Sequence, residues 1–229
     1  MKIKIIEPVL HNEENIKKIR KLYENIKRSD TYIDVIGLEK GSEDIEYFYD
    51  EEIAKTELLR EVKKAERDNF DGILIYCTGD PGLNAAREIV NIPIVGLGQT
   101  ELHMASLLCF RFTVISPGSS VMIEELIRKY GMEKKLKEAI TIDLTVTQVK
   151  NKKLAESAIL KAVKNRDMEA LVLECGHLMG LAKRLSKKLR IPVIGPEVGI
   201  PVLESIISSS LSQSKKVFIT PSVKKRILE

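Results

Sequence analysis

Short apolar runs alternate along this chain with longer stretches whose apolar residues recur at every third or fourth position. That is the signature of strands interleaved with amphipathic helices. Lys2 to Ile6 predicts a first strand ended by Glu7-Pro8, and Asn12 caps a helix to about Arg28 with Ile16, Ile19, Leu22, Tyr23 and Ile26 on one face. Tyr32 to Ile36 predicts a second strand. Gly37 to Gly41 opens a long loop through Asp50, rich in aromatic and acidic residues, a composition that marks functional loops. Ile53, Leu58, Leu59 and Val62 place a helix over Glu51 to Arg67. A strand then ends at Cys77, a helix runs from Pro81 to Val90, and a strand covers Ile92 to Val95.

The pattern then starts again. Thr100 to Leu108 predicts a helix, Arg111 to Ser116 a strand, and Pro117-Gly-Ser-Ser120 a turn whose serines cap a helix from Val121 to Tyr130, stopped by Gly131. Strands at Ala139 to Leu144, Ala170 to Cys175 and Ile191 to Ile194 alternate with helices at Asn151 to Asn165, Leu178 to Leu189 and Val198 to Ser209. Lys216 to Ile219 predicts a final strand. Strict alternation of this kind requires parallel sheets joined by right-handed crossovers.

The two passages are related residue by residue. Asp71-Gly-Ile-Leu-Ile-Tyr-Cys77 matches Glu169-Ala-Leu-Val-Leu-Glu-Cys175, and Asn91-Ile-Pro-Ile-Val-Gly96 matches Arg190-Ile-Pro-Val-Ile-Gly195. The spacing from cysteine to proline is 16 in one half and 17 in the other. Strand, cysteine, helix, Ile-Pro and glycine in the same order point to an internal repeat. The expected fold class is therefore α/β, with two similar lobes, each a short parallel sheet flanked by helices, related by pseudo-twofold symmetry. Residues 1–97 with 205–229 are assigned to the first lobe and 98–204 to the second, with the active site in the cleft between them.

Open α/β sheets bind ligands beyond the carboxyl ends of their strands, so facing lobes bring Cys77 and Cys175 to opposite sides of one cleft. Each thiol follows a buried strand and precedes a helix, near backbone N–H groups that favour a thiolate. Taken singly, each reads equally well as a small core residue. As a pair they have a chemistry: one thiolate takes a proton from a carbon, and the opposite thiol returns one to the other face.

Composition narrows the partners. In 229 residues, 44% are hydrophobic and 31% charged, with a formal charge of +4 and interspersed Lys and Glu, which argues against a nucleic-acid binder. The basic end, Lys215-Lys216 and Lys224-Lys225-Arg226, reads as a solvated tail. No stretch is apolar enough to cross a bilayer, and the first six residues read as a strand in place of a signal peptide, so no membrane partner and a cytoplasmic location are expected. Three cysteines without a C-x-x-C pair exclude a disulfide framework and give no zinc motif. Cys109 reads as core, and His11 and His103 have no metal-type neighbours, so no metal is expected.

The chain resembles the Asp/Glu/hydantoin racemase superfamily, and most closely its hydantoin racemase branch. The residues that carry the likeness are Ser42-Glu-Asp-Ile-Glu-Tyr-Phe-Tyr-Asp50, Cys77-x-x-Asp80-Pro-Gly-Leu83, Ile92-Pro-Ile-Val-Gly-Leu-Gly98, Pro117-Gly-Ser-Ser120 and Cys175-Gly176, in order over nearly the whole chain. The resemblance implies a cofactor-independent isomerase with Cys77 and Cys175 as acid/base pair, a small-molecule substrate and a homo-oligomeric state. It also implies that the N–H groups of Thr78, Gly79, Gly176 and His177 cradle substrate oxygens.

Two departures bear on the substrate. Glu174-Cys-Gly-His177 and Glu7-Pro8-Val9 differ from the family's usual residues after the second cysteine and at the end of the first strand. An acid at the pocket mouth disfavours a second substrate carboxylate. A 5-substituted hydantoin or related compound is thus expected ahead of aspartate or glutamate. The alternatives are an aspartate/glutamate-type racemase, a decarboxylase or cis-trans isomerase on the same scaffold, and a non-catalytic binding protein. Further substrate-binding candidates are Asp80, His177, Glu7, Pro8, Ser119 and Ser120, with Gln99 and Glu197 at the cleft rim.

Overall fold

The computed structural model describes residues 1–224. Residues 225–229, which include Lys225 and Arg226 of the basic end and close the segment assigned to the first lobe, lie outside the described residues. Strands β1 (Lys2–Leu10), β2 (Tyr32–Leu38), β3 (Gly72–Ile75) and β4 (Ile94–Gly96) form one parallel sheet in the order β2-β1-β3-β4. Strands β5 (Phe112–Ser116), β6 (Leu136–Thr141), β7 (Leu171–Leu173) and β8 (Val193–Ile194) form a second in the order β6-β5-β7-β8. The second order repeats the first, strand for strand. The core strands β3, β5 and β7 are buried throughout, which is why they read as continuous apolar runs.

Helices α1 (Glu13–Glu24) and α2 (Phe48–Arg67) flank the first sheet, α5 (Ser120–Lys129) and α6 (Lys152–Ala162) the second. Asn12 caps α1 by accepting from the N–H groups of Glu14 and Asn15, both at 3.1 Å, and the helix buries Ile16, Ile19 and Tyr23. The shorter α3 (Leu83–Ile89) and α7 (Ala182–Leu189) follow the two cysteine loops.

The last helix of each half crosses to the other. In α4 (Leu97–Leu108), Leu102 and Ala105 pack with Ala170, Val172 and Ile194 of the second sheet. In α8 (Gly199–Ser208), Ile200 and Leu203 pack with Ile3, Leu74 and Val95 of the first. Glu204 of α8 fixes this exchange by accepting from Thr31 Oγ1 at 2.6 Å and the Arg28 N–H at 2.9 Å. Among the described residues no helix is long and apolar enough to cross a membrane.

The sequence pattern and the fold part in several places. No strand forms at Lys216 to Ile219. The chain turns at Lys215–Val217, leaving Val217 and Ile219 exposed, and is tied down by side chains instead. Gln213 Nε2 donates to the Val90 and Ile92 carbonyls at 2.9 Å each, and Lys215 Nζ donates to that of Arg87 at 2.8 Å. The first strand does not stop at Ile6 but runs on to Leu10. Its β3 pairing ends at Ile6–Ile75 and its β2 register breaks between Ile6 and Leu10, so the N–H that Pro8 lacks is not required there. Glu7, Pro8 and Val9 are thereby carried past the end of the β3 pairing, to the cleft. The sixth strand lies earlier than Ala139 to Leu144, and a single 3-10 turn over Gly176–Leu178 precedes α7 where a continuous helix is expected.

Candidate active site

Cys77 leaves β3 after Tyr76, and Cys175 leaves β7 after Glu174. Each then closes the same tight turn: the Asp80 N–H donates to the Cys77 carbonyl at 3.1 Å, and the Leu178 N–H to the Cys175 carbonyl at 2.9 Å. Each sulfur also accepts an N–H two residues on, from Gly79 and from His177 respectively. Both thiols line one cavity of about 120 Å³ between the sheets, together with Glu7, Pro8, Thr78, Gly79, Glu174, Gly176 and His177. The loops touch across the cleft, where Tyr76 Oη donates to the Gly176 carbonyl at 2.9 Å. A Cβ on Gly176 would stand 2.9 Å from the Tyr76 ring, so the close approach requires glycine. Gly98, at the start of α4, is held similarly against the Thr78 carbonyl.

Burial raises both thiols, because a thiolate is costly away from water. Cys77 is pushed well above the ordinary range, first by desolvation and then by the Glu51 carboxylate; the Gly79 N–H opposes. Cys175 is raised to about 12 by desolvation and further by Glu174, with the His177 N–H and the Lys152 cation pulling it back. Lys152 is itself lowered to about 8 by burial, and its Nζ donates to the His177 carbonyl. Burial drives His177 down to about 3, helped by Lys150, Lys152 and Lys18, so its ring is neutral at pH 7. Burial also raises Glu7 and Glu174 to about 7. Glu174 accepts hydrogen bonds from Ser116 of the second sheet and Thr78 of the first loop, whereas Glu7 Oε2 has no partner among the described residues.

Not every expected residue is at the cavity. Asp80 takes a left-handed backbone (φ 50°), tolerable for Asp, and its fully buried carboxylate turns inward. It accepts from the N–H groups of Gly98 at 3.0 Å and Gln99 at 2.7 Å and from Tyr130 Oη at 2.5 Å. Asp80 thus staples the first cysteine loop to α4 and α5. Ser119 caps α5, accepting from the Val121 N–H at 3.2 Å, and Ser120 is its first residue; neither lines the cavity. Gln99 accepts from Arg87 Nη2 at 2.6 Å and Glu197 from the Gly180 N–H at 2.7 Å, both away from the lining. Cys109 is half-buried against the second lobe's core, with its Sγ donating to the Ala105 carbonyl.

The structure adds residues the sequence does not single out. Glu51 in the first turn of α2 reads as a solvated helix charge, yet it stands against Gly79 and Cys77. Ser116 and Lys152 carry no sequence signal either. The acidic-aromatic loop does: Asp44, Ile45, Glu46 and Phe48 line the cavity. Glu46 accepts from the Val146 N–H at 2.6 Å and Asp44 from Thr147 Oγ1 at 3.1 Å, so the loop is latched across the cleft onto the opposite half. Among the described residues no three His, Cys, Asp or Glu side chains gather as a metal set.

The sequence profile of the Asp/Glu/Hydantoin racemase family matches residues 6–199. A hydantoin racemase of Pseudomonas sp. (strain NS671) is 33% identical over 238 aligned positions, covering 99% of this chain and 94% of that protein. A hydantoin racemase of Paenarthrobacter aurescens is 34% identical over 194 positions, covering 81% of this chain and 82% of that protein. Among solved structures, an allantoin racemase from Klebsiella pneumoniae superposes with a TM-score of 0.91 at 27% identity, covering 98% of this chain and 95% of that one.

Proposed function

We propose, since the chain belongs to the Asp/Glu/hydantoin racemase family and is an isomerase of the racemase type, that Cys77 and Cys175 invert a 5-substituted hydantoin or a related ring by two-sided proton transfer. The observation that carries this reading is the two thiols lining one cavity from equivalent loops of the repeat. One thiolate removes the proton from the carbon beside the carbonyl. The electron pair moves onto the carbonyl oxygen as an enolate, and the opposite thiol delivers its own proton to the far face. The product is the mirror-image carbon, with thiol and thiolate exchanged. The Gly79 and His177 N–H groups go to the sulfurs, which leaves those of Thr78 and Gly176, one from each loop, for the enolate oxygen.

Burial favours the neutral thiol at both sulfurs: at Cys175 the Lys152 cation favours the thiolate against the opposing Glu174, whereas Cys77 faces the acidic side chains of Glu51 and Glu174 with no cation to balance them. In heavy water, racemisation of a single hydantoin enantiomer is expected to place deuterium at the stereocentre of every inverted molecule. Inversion with retention of the original hydrogen, or full activity in Cys77→Ser or Cys175→Ser, overturns the two-thiol scheme.

A further inference from the structure

The protein as a whole carries a net charge of +4, yet its cleft is of the opposite sign. Six acidic residues line it, Glu7, Asp44, Glu46, Glu51, Glu125 and Glu174, with no lysine or arginine among the lining residues. Only Glu125 has an ion-pair partner, Arg128; among the described residues the other five have none within 4.0 Å. His177 adds no positive charge, since burial keeps its ring neutral. The cations that act on these acids, Lys55, Lys129 and Lys150, are outside the lining, as is Lys152; Lys129 is bonded to the Asp80 carbonyl and Lys152 to that of His177.

The second observation is Glu7. Its side chain is only 3% exposed, it lines the cavity, and its Oε2 has no hydrogen-bond partner. Buried acceptors left unpaired are costly, and native proteins keep few of them without a reason.

We propose that the substrate carries a cationic nitrogen, an ammonium or guanidinium, on the substituent of its stereocentre, and that the cleft carboxylates select it, with Glu7 as the buried acceptor. This rests on the hydantoin-type reaction above and adds the charge of the side chain to it. A neutral side chain leaves Glu7 Oε2 unpaired, and an anionic one meets a lining of acidic side chains with no lysine or arginine among them. Burial holds Glu7 near 7, so a bound cation returns it to the ionised form and sends a proton to solvent. Complementarity of this kind discriminates between partners more than it adds raw affinity.

The test compares three racemic hydantoins that share the ring and differ in side-chain charge: the lysine-derived, norleucine-derived and glutamate-derived compounds. Calorimetry on the wild-type chain gives their affinities, and because the ligands are racemic, turnover leaves the mixture unchanged. The lysine-derived compound is expected to bind on the order of tenfold more tightly than its neutral isostere. The glutamate-derived one is expected to bind weakest, and the preference should shrink with added salt. Glu7→Gln should bring the cationic and neutral compounds level. Equal or tighter binding of the neutral or anionic compound, no binding by any of the three, or full preference in a folded Glu7→Gln protein overturns the proposal. Deuterium exchange on the same compounds reads the reaction separately: exchange without cation preference removes only this inference, and preference without exchange removes only the hydantoin reaction.

Discussion

The loops after β3 and β7 open on the same hydrogen-bonded turn and differ in almost every side chain that matters. In both, a cysteine ends a buried strand, closes the same turn and accepts an N–H from two residues on. At the third residue after the cysteine they part. Asp80 reaches out of its loop to the N–H groups of Gly98 and Gln99, whereas Leu178 packs into the core. The second loop has a staple too, with its polarity reversed: the carboxylate sits on the far side, at Glu197, and the cysteine loop supplies the N–H of Gly180. The charges beside the thiols differ as well: Glu51 and Glu174 both raise Cys77, whereas at Cys175 the Lys152 cation opposes Glu174. Equivalent loops bring two thiols to one cavity with different side chains around each, and the proposed two-sided proton transfer needs that difference to set which thiol gives up its proton first.

The largest expected effect breaks the pair outright. Cys77→Ser and Cys175→Ser should each slow racemisation about a thousandfold. Each should keep slow hydrogen exchange on a single enantiomer, and the two variants should favour opposite ones, as read by NMR in heavy water. Exchange of the same enantiomer in both would mean that the thiols do not face opposite sides of the carbon. Next is the staple. Asp80→Ala strands three donors in the interior and should cost about 3 to 5 kcal/mol in urea unfolding; an unchanged midpoint would show that the first loop needs no staple.

Glu7 gives an effect of similar size that depends on pH. Its carboxyl is raised in the folded state from 4.5 to about 7, so the folded protein binds more protons than the unfolded chain between those values. The stability it contributes is complete below about 4.5 and is lost as pH rises through about 7. Glu7→Gln should therefore match the wild type near pH 4 and exceed it at pH 8 by up to about 3 kcal/mol. A constant difference across that window would contradict the burial of an ionisable Glu7. The smallest effects sharpen the contrast between the thiols. Lys152→Met should slow the enantiomer deprotonated by Cys175 about tenfold, roughly one pKa unit of lost support, and shift that limb of its pH-rate profile upward. Glu51→Gln should instead ease ionisation of Cys77, and equal responses for both enantiomers in either variant would remove the asymmetry.

Much of this was legible from the order of residues. The repeat around Cys77 and Cys175 pointed to two similar lobes, each with a parallel sheet, because buried strands and Ile-Pro turns leave a linear trace that survives side-chain change; the strand orders are seen only in the fold. The loop at Gly41 to Asp50 was marked by its acids and aromatics, and it does cover the cavity. What stayed hidden depends on direction in space. Asp80 sits within two residues of a lining glycine, yet a left-handed backbone turns its carboxylate away from the cavity. Ser119 and Ser120 have the chemistry of ligands but face the start of α5. Glu51 and Lys152 are ordinary helix charges in sequence, and only the packing of α2 and α6 against their own sheets brings each toward the thiol of its half. The run at Lys216 to Ile219 has strand composition, but Gln213 and Lys215 satisfy the neighbouring carbonyls through their side chains and leave it no partner.

The contact between Tyr76 and Gly176 has a consequence for how such a chain can change. The tyrosine hydroxyl holds the glycine's carbonyl, and its ring fills the space a larger residue at 176 would need. The two positions lie a hundred residues apart in the repeat, yet neither can drift alone: a side chain at 176 must await a smaller ring at 76, and a smaller ring at 76 opens a hole beside both thiols. For evolution or redesign they are one inherited unit, and the duplicated halves stay coupled through it however far their other residues diverge.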